Sequence, residues 1–175
     1  MPNWCDNEAN LVFPNDELLE LFLHAVSNES IFSTFAPLNL GSNENGEPIW
    51  EFSKAIEIWG TKCEPLDIRV LHRNQLHLRV SFDTAWAPPI GVYERMNKNH
   101  GISVVAYFSE PGEEVFGKCT YSGEIEENKY YNYPHNKLQL DNVRLGLDSG
   151  LDKYMKNEWI RIEKRWEDRN SEDSF

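Results

Sequence analysis

Asp67-Ile68-Arg69-Val70-Leu71 and Leu76-His77-Leu78-Arg79-Val80-Ser81-Phe82 carry the pattern that decides the fold of this chain. Ile68 and Val70, then Leu76, Leu78, Val80 and Phe82, repeat with period two on either side of the polar Arg73-Asn74-Gln75. Successive side chains of a strand point to opposite faces, so this pattern predicts a β-hairpin with one buried face. Before the hairpin, Glu8 to Phe13 is an apolar stretch that stops at Pro14 and reads as a strand. Asn15-Asp16-Glu17 then supply a capping side chain and acids suited to a helix start. Leu18, Leu19, Phe22, Leu23 and Val26 follow at helical spacing, which predicts a helix packed by one face on a sheet.

The segment Ala36 to Pro48, with Gly41-Ser42-Asn43-Glu44-Asn45-Gly46 at its centre, reads as an exposed loop, and Ile49 to Trp59 as a brief helix. After the hairpin, Pro88-Pro89 cannot continue a strand but can open a helix, which runs to Gly101. Ile102 to Phe108 is a strand, Ser109-Glu110-Pro111-Gly112 a turn, and Val115 to Ile125 the returning partner. Tyr130-Tyr131-Asn132-Tyr133-Pro134 reads as irregular, and Asp141 to Leu147 fits neither period. Met155, Trp159, Ile162 and Trp166 then form the clearest amphipathic helical stripe, with Asn170 to Phe175 expected to fray. Core packing is the expected use of that stripe, since an exposed one would promote association. The order of elements predicts an α+β, two-layer sandwich: an antiparallel sheet with helices on one face over residues 1–145, and a C-terminal helix over 146–175 packed on it or appended to it.

The chain has 175 residues, enough for one core and too few for two comfortable domains. Its 17 basic and 29 acidic residues give a net charge of −12, which disfavours direct contact with nucleic acid or anionic membrane. No apolar run is long enough to span a bilayer, and the first residues lack the basic start and apolar core of a signal peptide. A cytoplasmic location is the expectation. Cys5, Cys63 and Cys119 are odd in number and widely spaced, so reduced thiols are expected rather than disulfides or a zinc knuckle. His24, His72, His77, His100 and His135 have no metal-like spacing. No GxSxG, GxxxxGK[ST] or GxGxxG is present, and Glu110, Glu113 and Glu114 read as a solvated turn. No catalytic residue, metal or cofactor is expected.

Four stretches remain: Met1-Pro2-Asn3-Trp4-Cys5-Asp6-Asn7, Trp59-Gly60-Thr61-Lys62, Thr84-Ala85-Trp86-Ala87-Pro88-Pro89, and Tyr107-Phe108-Ser109-Glu110-Pro111-Gly112 running on to Phe116-Gly117. One reading makes Trp4, Trp59, Gly60, Thr61, Lys62, Trp86, Pro88 and Pro89 a partner-binding surface, because tryptophan is favoured at binding hot spots. The structural reading carries more weight: each tryptophan stands beside a turn former or proline, where a large ring plugs the end of a core. In sequence and order the four stretches resemble the YubB-type ferredoxin-like proteins, a family of uncharacterised reading frames of bacteriophages and plasmids. Cys63 stands where that family repeats a tryptophan, and Ala87 where it has serine. The resemblance reaches from the N-terminus to Gly123. It implies the ferredoxin-like topology, a name that describes shape and implies no iron–sulfur cluster.

What the resemblance implies, together with the missing catalytic motifs, is a non-enzymatic accessory protein of a phage or other mobile element. Such a protein would bind a host or defence protein in the host cytoplasm, with its acidic surface imitating the charge of nucleic acid. Two alternatives stand beside it. One is a nucleic-acid module stacking bases on Tyr107, Phe108, Tyr121 and the Tyr130 to Tyr133 run; the other is an enzyme of unrecognised type.

Overall fold

The hairpin forms from β2 (Leu66–Asn74) and β3 (His77–Ala85). Gln75, at φ 48°, makes the tight turn between them. In this computed structural model, which describes residues 3–172 with side chains as far as Arg169, the hairpin adds to β1 (Trp4–Val12) through β3. On the other side of β1 lies β4 (Ser103–Glu110), followed by β5 (Val115–Ser122) and β6 (Ile125–Asn132). The sheet order is β2-β3-β1-β4-β5-β6, antiparallel throughout. Between β1 and β2 run α1 (Asp16–Ser27), α2 (Ile31–Phe35) and α3 (Phe52–Trp59); α4 (Ile90–His100) joins β3 to β4. Two strand–helix–strand crossings around a hairpin, with β1 central, are the ferredoxin-like arrangement, and β5 and β6 extend it as a meander.

Alternation along β1, β3, β4 and β5 sets the two faces, but the buried face expected for the whole hairpin is not continued in β2: Ile68 is half-buried against the core while Val70, 46% exposed, and the rest of the strand face water. Cys5, Ala9 and Leu11 of β1 meet Leu78, Val80 and Phe82 of β3 and Val104, Ala106 and Phe108 of β4 in one cluster. Leu19, Phe22 and Ala25 of α1, with Val92, Tyr93 and Met96 of α4, close that cluster from above. Asn15 caps α1 as its sequence predicts, accepting from the Leu18 amide at 2.9 Å. The short α2 was not legible in the sequence: its first amides are satisfied from a distance by the Glu64 carboxylate, which accepts from Phe32 N and Ser33 N at 2.7 Å each.

Four readings of the C-terminal half change in the structure. Ile125 opens β6 rather than closing β5, and Tyr130 to Asn132 finish that strand instead of lying in irregular chain. The β6 strand is nearly all exposed, so its sequence lacks the apolar alternation that marks a half-buried strand. Asp141 to Leu147 belongs mostly to α5 (Lys137–Gly146), whose start is a reciprocal cap: Asn136 Oδ1 accepts from Gln139 N at 3.0 Å, and Gln139 Oε1 accepts from His135 N at 2.8 Å. The terminal helix is two helices, α6 (Ser149–Tyr154) and α7 (Lys156–Glu172), that break at Met155. Of the residues expected to fray, Asn170 to Glu172 are the last of α7, and Asp173, Ser174 and Phe175 lie outside the described residues.

Leu140, Leu151, Met155, Trp159 and Ile162 are buried together against Phe116 and Tyr133. Phe116 and Tyr107 alternate with Phe108, Cys119 and Tyr121, so α5–α7 cover the second face of the sheet at its β4–β5–β6 half. Beyond β1 on that face, His77 and Arg79 of β3 stay exposed. Within the larger cluster, the fully buried Tyr93 hydroxyl meets no hydrogen-bond partner among the described residues. A desolvated, unpaired hydroxyl costs roughly 1–3 kcal/mol. Tyr93→Phe is therefore expected to raise stability by about 1 kcal/mol, read as a higher urea midpoint at unchanged slope.

Candidate functional site

All four tryptophan and proline stretches arrive at one end of the sheet, where β1 begins and β3 and β4 end. The carbonyl of Asn3 accepts from Trp86 N at 2.8 Å. Thr61 Oγ1 donates to Ala85 O at 2.8 Å, which ties the end of α3 to the end of β3. A Cβ on Gly60 would lie 3.2 Å from Pro88 O, and Gly60 holds φ 86° as the left-handed cap of α3, so only glycine suits that contact. On the far side, Asn3 Nδ2 donates to Glu113 Oε1 at 3.5 Å, and the buried Glu110 carboxylate accepts from the amides of Gly112 and Glu113. Glu110 is thus a buried internal cap of the turn rather than a solvated acid, while Glu113 is exposed and Glu114 partly so, as expected.

Beneath this end runs a buried polar relay that sequence reasoning did not single out. Asn7 Nδ2 donates to Cys5 O at 2.8 Å and to Thr84 Oγ1 at 2.9 Å, and Thr84 Oγ1 donates to Ala87 O at 2.7 Å. Both side chains are fully buried. The relay fixes the course of Ala85 to Ala87 from below, and buried polar groups that are satisfied in this way specify one arrangement. The available signal was that Asn7 is polar at an inward position between Cys5 and Ala9.

The candidate residues divide by exposure. Trp59, Thr61, Pro88 and Pro89 are buried and offer no surface to a partner. Trp59 plugs the core: its Nε1 donates to Ala36 O at 2.6 Å and its ring meets Phe32 edge-on at 5.5 Å. Gly60 is half-buried and acts through its backbone. What remains outward is Trp4, 38% exposed, Trp86, 48% exposed, and Lys62, whose Nζ stands 4.5 Å from the centroid of the Trp86 ring. Trp86 also holds φ 71°, a left-handed conformation unusual for a bulky residue.

The thiols near this end are held in their neutral form. Burial pushes the Cys5 thiol far up and the Cys119 thiol up to about 12, and it raises Cys63 as well. None is an activated thiolate. Asp83 stands opposite Asp6 in the β1–β3 register, and its carboxyl is raised first by burial and then by the charges of Asp6 and Asp67. Asp6 Oδ1 itself accepts from Tyr154 Oη at 2.9 Å, which docks α6 on β1. Among the described residues no group of three His, Cys, Asp or Glu side chains could hold a metal. No described helix is long and apolar enough to cross a membrane.

The rings considered for base stacking are mostly engaged within the protein. Phe108, Tyr121 and Tyr133 are buried, Tyr107 stacks on Tyr154 at 5.8 Å, and Tyr131 stacks on Phe116 at 5.2 Å. Tyr130 is the one of this set with an exposed face.

Residues 67–144, from β2 into α5, match a family model described as the ferredoxin-like domain in Api92-like protein. A crystal structure of the protein Api92 from Yersinia pseudotuberculosis is similar at 15% identity and a TM-score of 0.41. That similarity covers 49% of this chain and spans about a third, 31%, of the Yersinia protein's length. No curated protein matches the chain.

Proposed function

We propose that this chain is a non-enzymatic, protein-binding accessory factor that uses the Trp86–Lys62–Trp4 surface as its contact. The supporting observation is Trp86 itself. A tryptophan in the left-handed region costs on the order of 1 kcal/mol or more, and leaving its ring half in water forgoes the burial that would repay it. The Asn3 carbonyl on its amide and the buried Asn7–Thr84–Ala87 relay beneath it hold the residue in that posture. A rigid, exposed aromatic beside a cation is the kind of anchor that carries binding energy in protein interfaces.

The resemblance to YubB-type proteins supports a phage or mobile-element setting and a host or defence protein as the partner, met in the host cytoplasm. The net charge of −12 supports a basic partner surface, of the sort that otherwise holds nucleic acid. Trp86→Gly separates architecture from recognition. Glycine relieves the left-handed strain, so stability is expected to hold or to rise by about 0.5–1 kcal/mol. Partner affinity is expected to fall by about tenfold or more. Tagged wild-type and variant protein are passed over host lysate, and the affinity for the retained protein is then measured. A wild type that retains nothing at low or moderate salt, or a variant that binds as tightly as wild type, overturns the reading.

A further inference from the structure

At the opposite end of α3 from Lys62, four large apolar side chains crowd into eight residues and stay in water. Ile49 is 47% exposed, Trp50 44%, Phe52 59% and Ile56 46%. They form one surface. The rings of Trp50 and Phe52 meet edge-on at 6.3 Å, Trp50 leans on buried Trp59 at 5.7 Å, and Ile56 follows Phe52 by one helical turn. The loop before them is ordered so as to present them. Asn43 Oδ1 accepts from Asn45 N and Glu47 N at 2.9 Å each, Ser42 bridges to Pro48, and Ile49 N donates to Gly41 O at 2.7 Å.

The segment that carries this surface is acidic. Glu44, Glu47 and Glu57 are exposed and Glu51 half-buried, with Lys54 as the one cation from Glu44 to Glu57, already paired to Glu51 at 3.2 Å. Among the described residues neither Glu47 nor Glu57 meets a cation. Glu57 also sits in the last turn of α3, where the helix dipole disfavours an acid. The charge decides between occupants. A second copy would bring the same acids face to face on chains of net charge −12, and an anionic membrane would be repelled. A cationic amphipathic helix satisfies both halves of the surface, with its apolar stripe on Trp50, Phe52 and Ile56 and its basic residues on Glu47 and Glu57.

We infer that the Ile49–Ile56 surface is a docking site for a basic amphipathic helix of a partner protein, separate from the Trp86 surface and independent of it. The probe is a fluorescein-labelled 18-residue helical peptide of leucine and lysine, with a leucine–glutamate peptide of the same pattern as control, titrated against the full chain. Binding of the lysine peptide alone is expected. Phe52→Ser with Ile56→Ser, both exposed positions that leave charge and fold intact by circular dichroism, is expected to weaken it about 30-fold. Glu47→Gln with Glu57→Gln is expected to weaken it several-fold and flatten its salt dependence. Trp86→Gly is expected to leave it unchanged, which separates this site from the one above. Equal binding by the serine variant would show bare charge attraction and overturn the site. So would a dimer in sedimentation that the serine variant dissolves, or retention of the wild type, but not that variant, on phosphatidylcholine vesicles.

Discussion

Trp59→Ala is expected to destabilise the protein by about 3–5 kcal/mol, the range for emptying a buried aromatic site. Trp59 is fully buried, with the Phe32 ring at its edge and its indole N–H on the Ala36 carbonyl. Alanine leaves a cavity between α2 and α3 and strips that carbonyl of its donor at once. The second loss can be isolated. Trp59→Phe keeps most of the apolar volume but not the N–H, so about 1–3 kcal/mol of the cost should persist. Urea unfolding of both variants measures the split. If Trp59→Ala cost under about 1 kcal/mol, the ring would not be the plug that the geometry makes it. The same substitution should loosen the neighbouring surface, because Gly60 to Lys62 follow directly from the helix that Trp59 anchors.

Where one face of an element is buried, the sequence announced it. Ala9, Leu11, Leu78, Val80 and Val104 alternate because the helices cover one side of their strands, and Leu19, Phe22 and Ala25 recur because α1 lies on that side. Period and burial are the same fact in those elements. They part company in the two edge strands: β2 alternates in Ile68 and Val70 yet is nearly all exposed, and β6 is held by its ladder to β5 while Glu126, Glu127 and Asn128 face water or polar partners. Tyr130 reaches the Phe108 ring at 5.3 Å only because Gly117 between them lacks a side chain, a relation that crosses three strands. The α5 start was within reach, since Asn136 and Gln139 stand at capping-box spacing, but the glutamine weakens the acidic signature usually sought.

The candidate site was legible as residue types and not as a division of labour. Trp59 and Trp86 look alike in sequence, each beside a glycine or proline. What separates them is how much of the chain covers the ring: α2 closes over Trp59, while Trp86 meets the Lys62 side chain and stays 48% exposed. For the same reason Ile49 to Trp59 could be read as a helix while the exposure of Trp50, Phe52 and Ile56 could not. Apolar residues signal a wish for cover, and a single sequence does not say whether the chain itself supplies it.

Trp159→Ala is expected to cost a similar 3–5 kcal/mol, and to lower the stability of the whole chain rather than of its C-terminal helices alone. Trp159 is buried on the second face, with its ring edge-on to Phe116 at 5.2 Å and its Nε1 donating to Asp152 Oδ1 at 3.0 Å. Asp152 is also held by Arg144 at 2.8 Å, and its carboxyl is lowered chiefly by that bond, so the indole joins α5, α6 and α7 to one another as well as to the sheet. The link to the rest of the protein is β5. It carries Phe116 into the smaller cluster and Cys119 and Tyr121 into the larger one, so neither cluster can be lost without releasing the strand that both share. One transition, coincident by far-ultraviolet circular dichroism and by tryptophan fluorescence, should therefore move to lower denaturant. A variant in which α5–α7 melted early while the α1–α4 cluster kept its wild-type midpoint would refute that coupling and make residues beyond β6 an appended unit. The charge of the same helices gives the coupling its pH dependence. Because Arg144 depresses the Asp152 carboxyl, the stability it adds is present above the ordinary carboxylate range and is lost as pH falls through the depressed value, so the midpoint should drop on acidification in wild type and less so in Asp152→Asn.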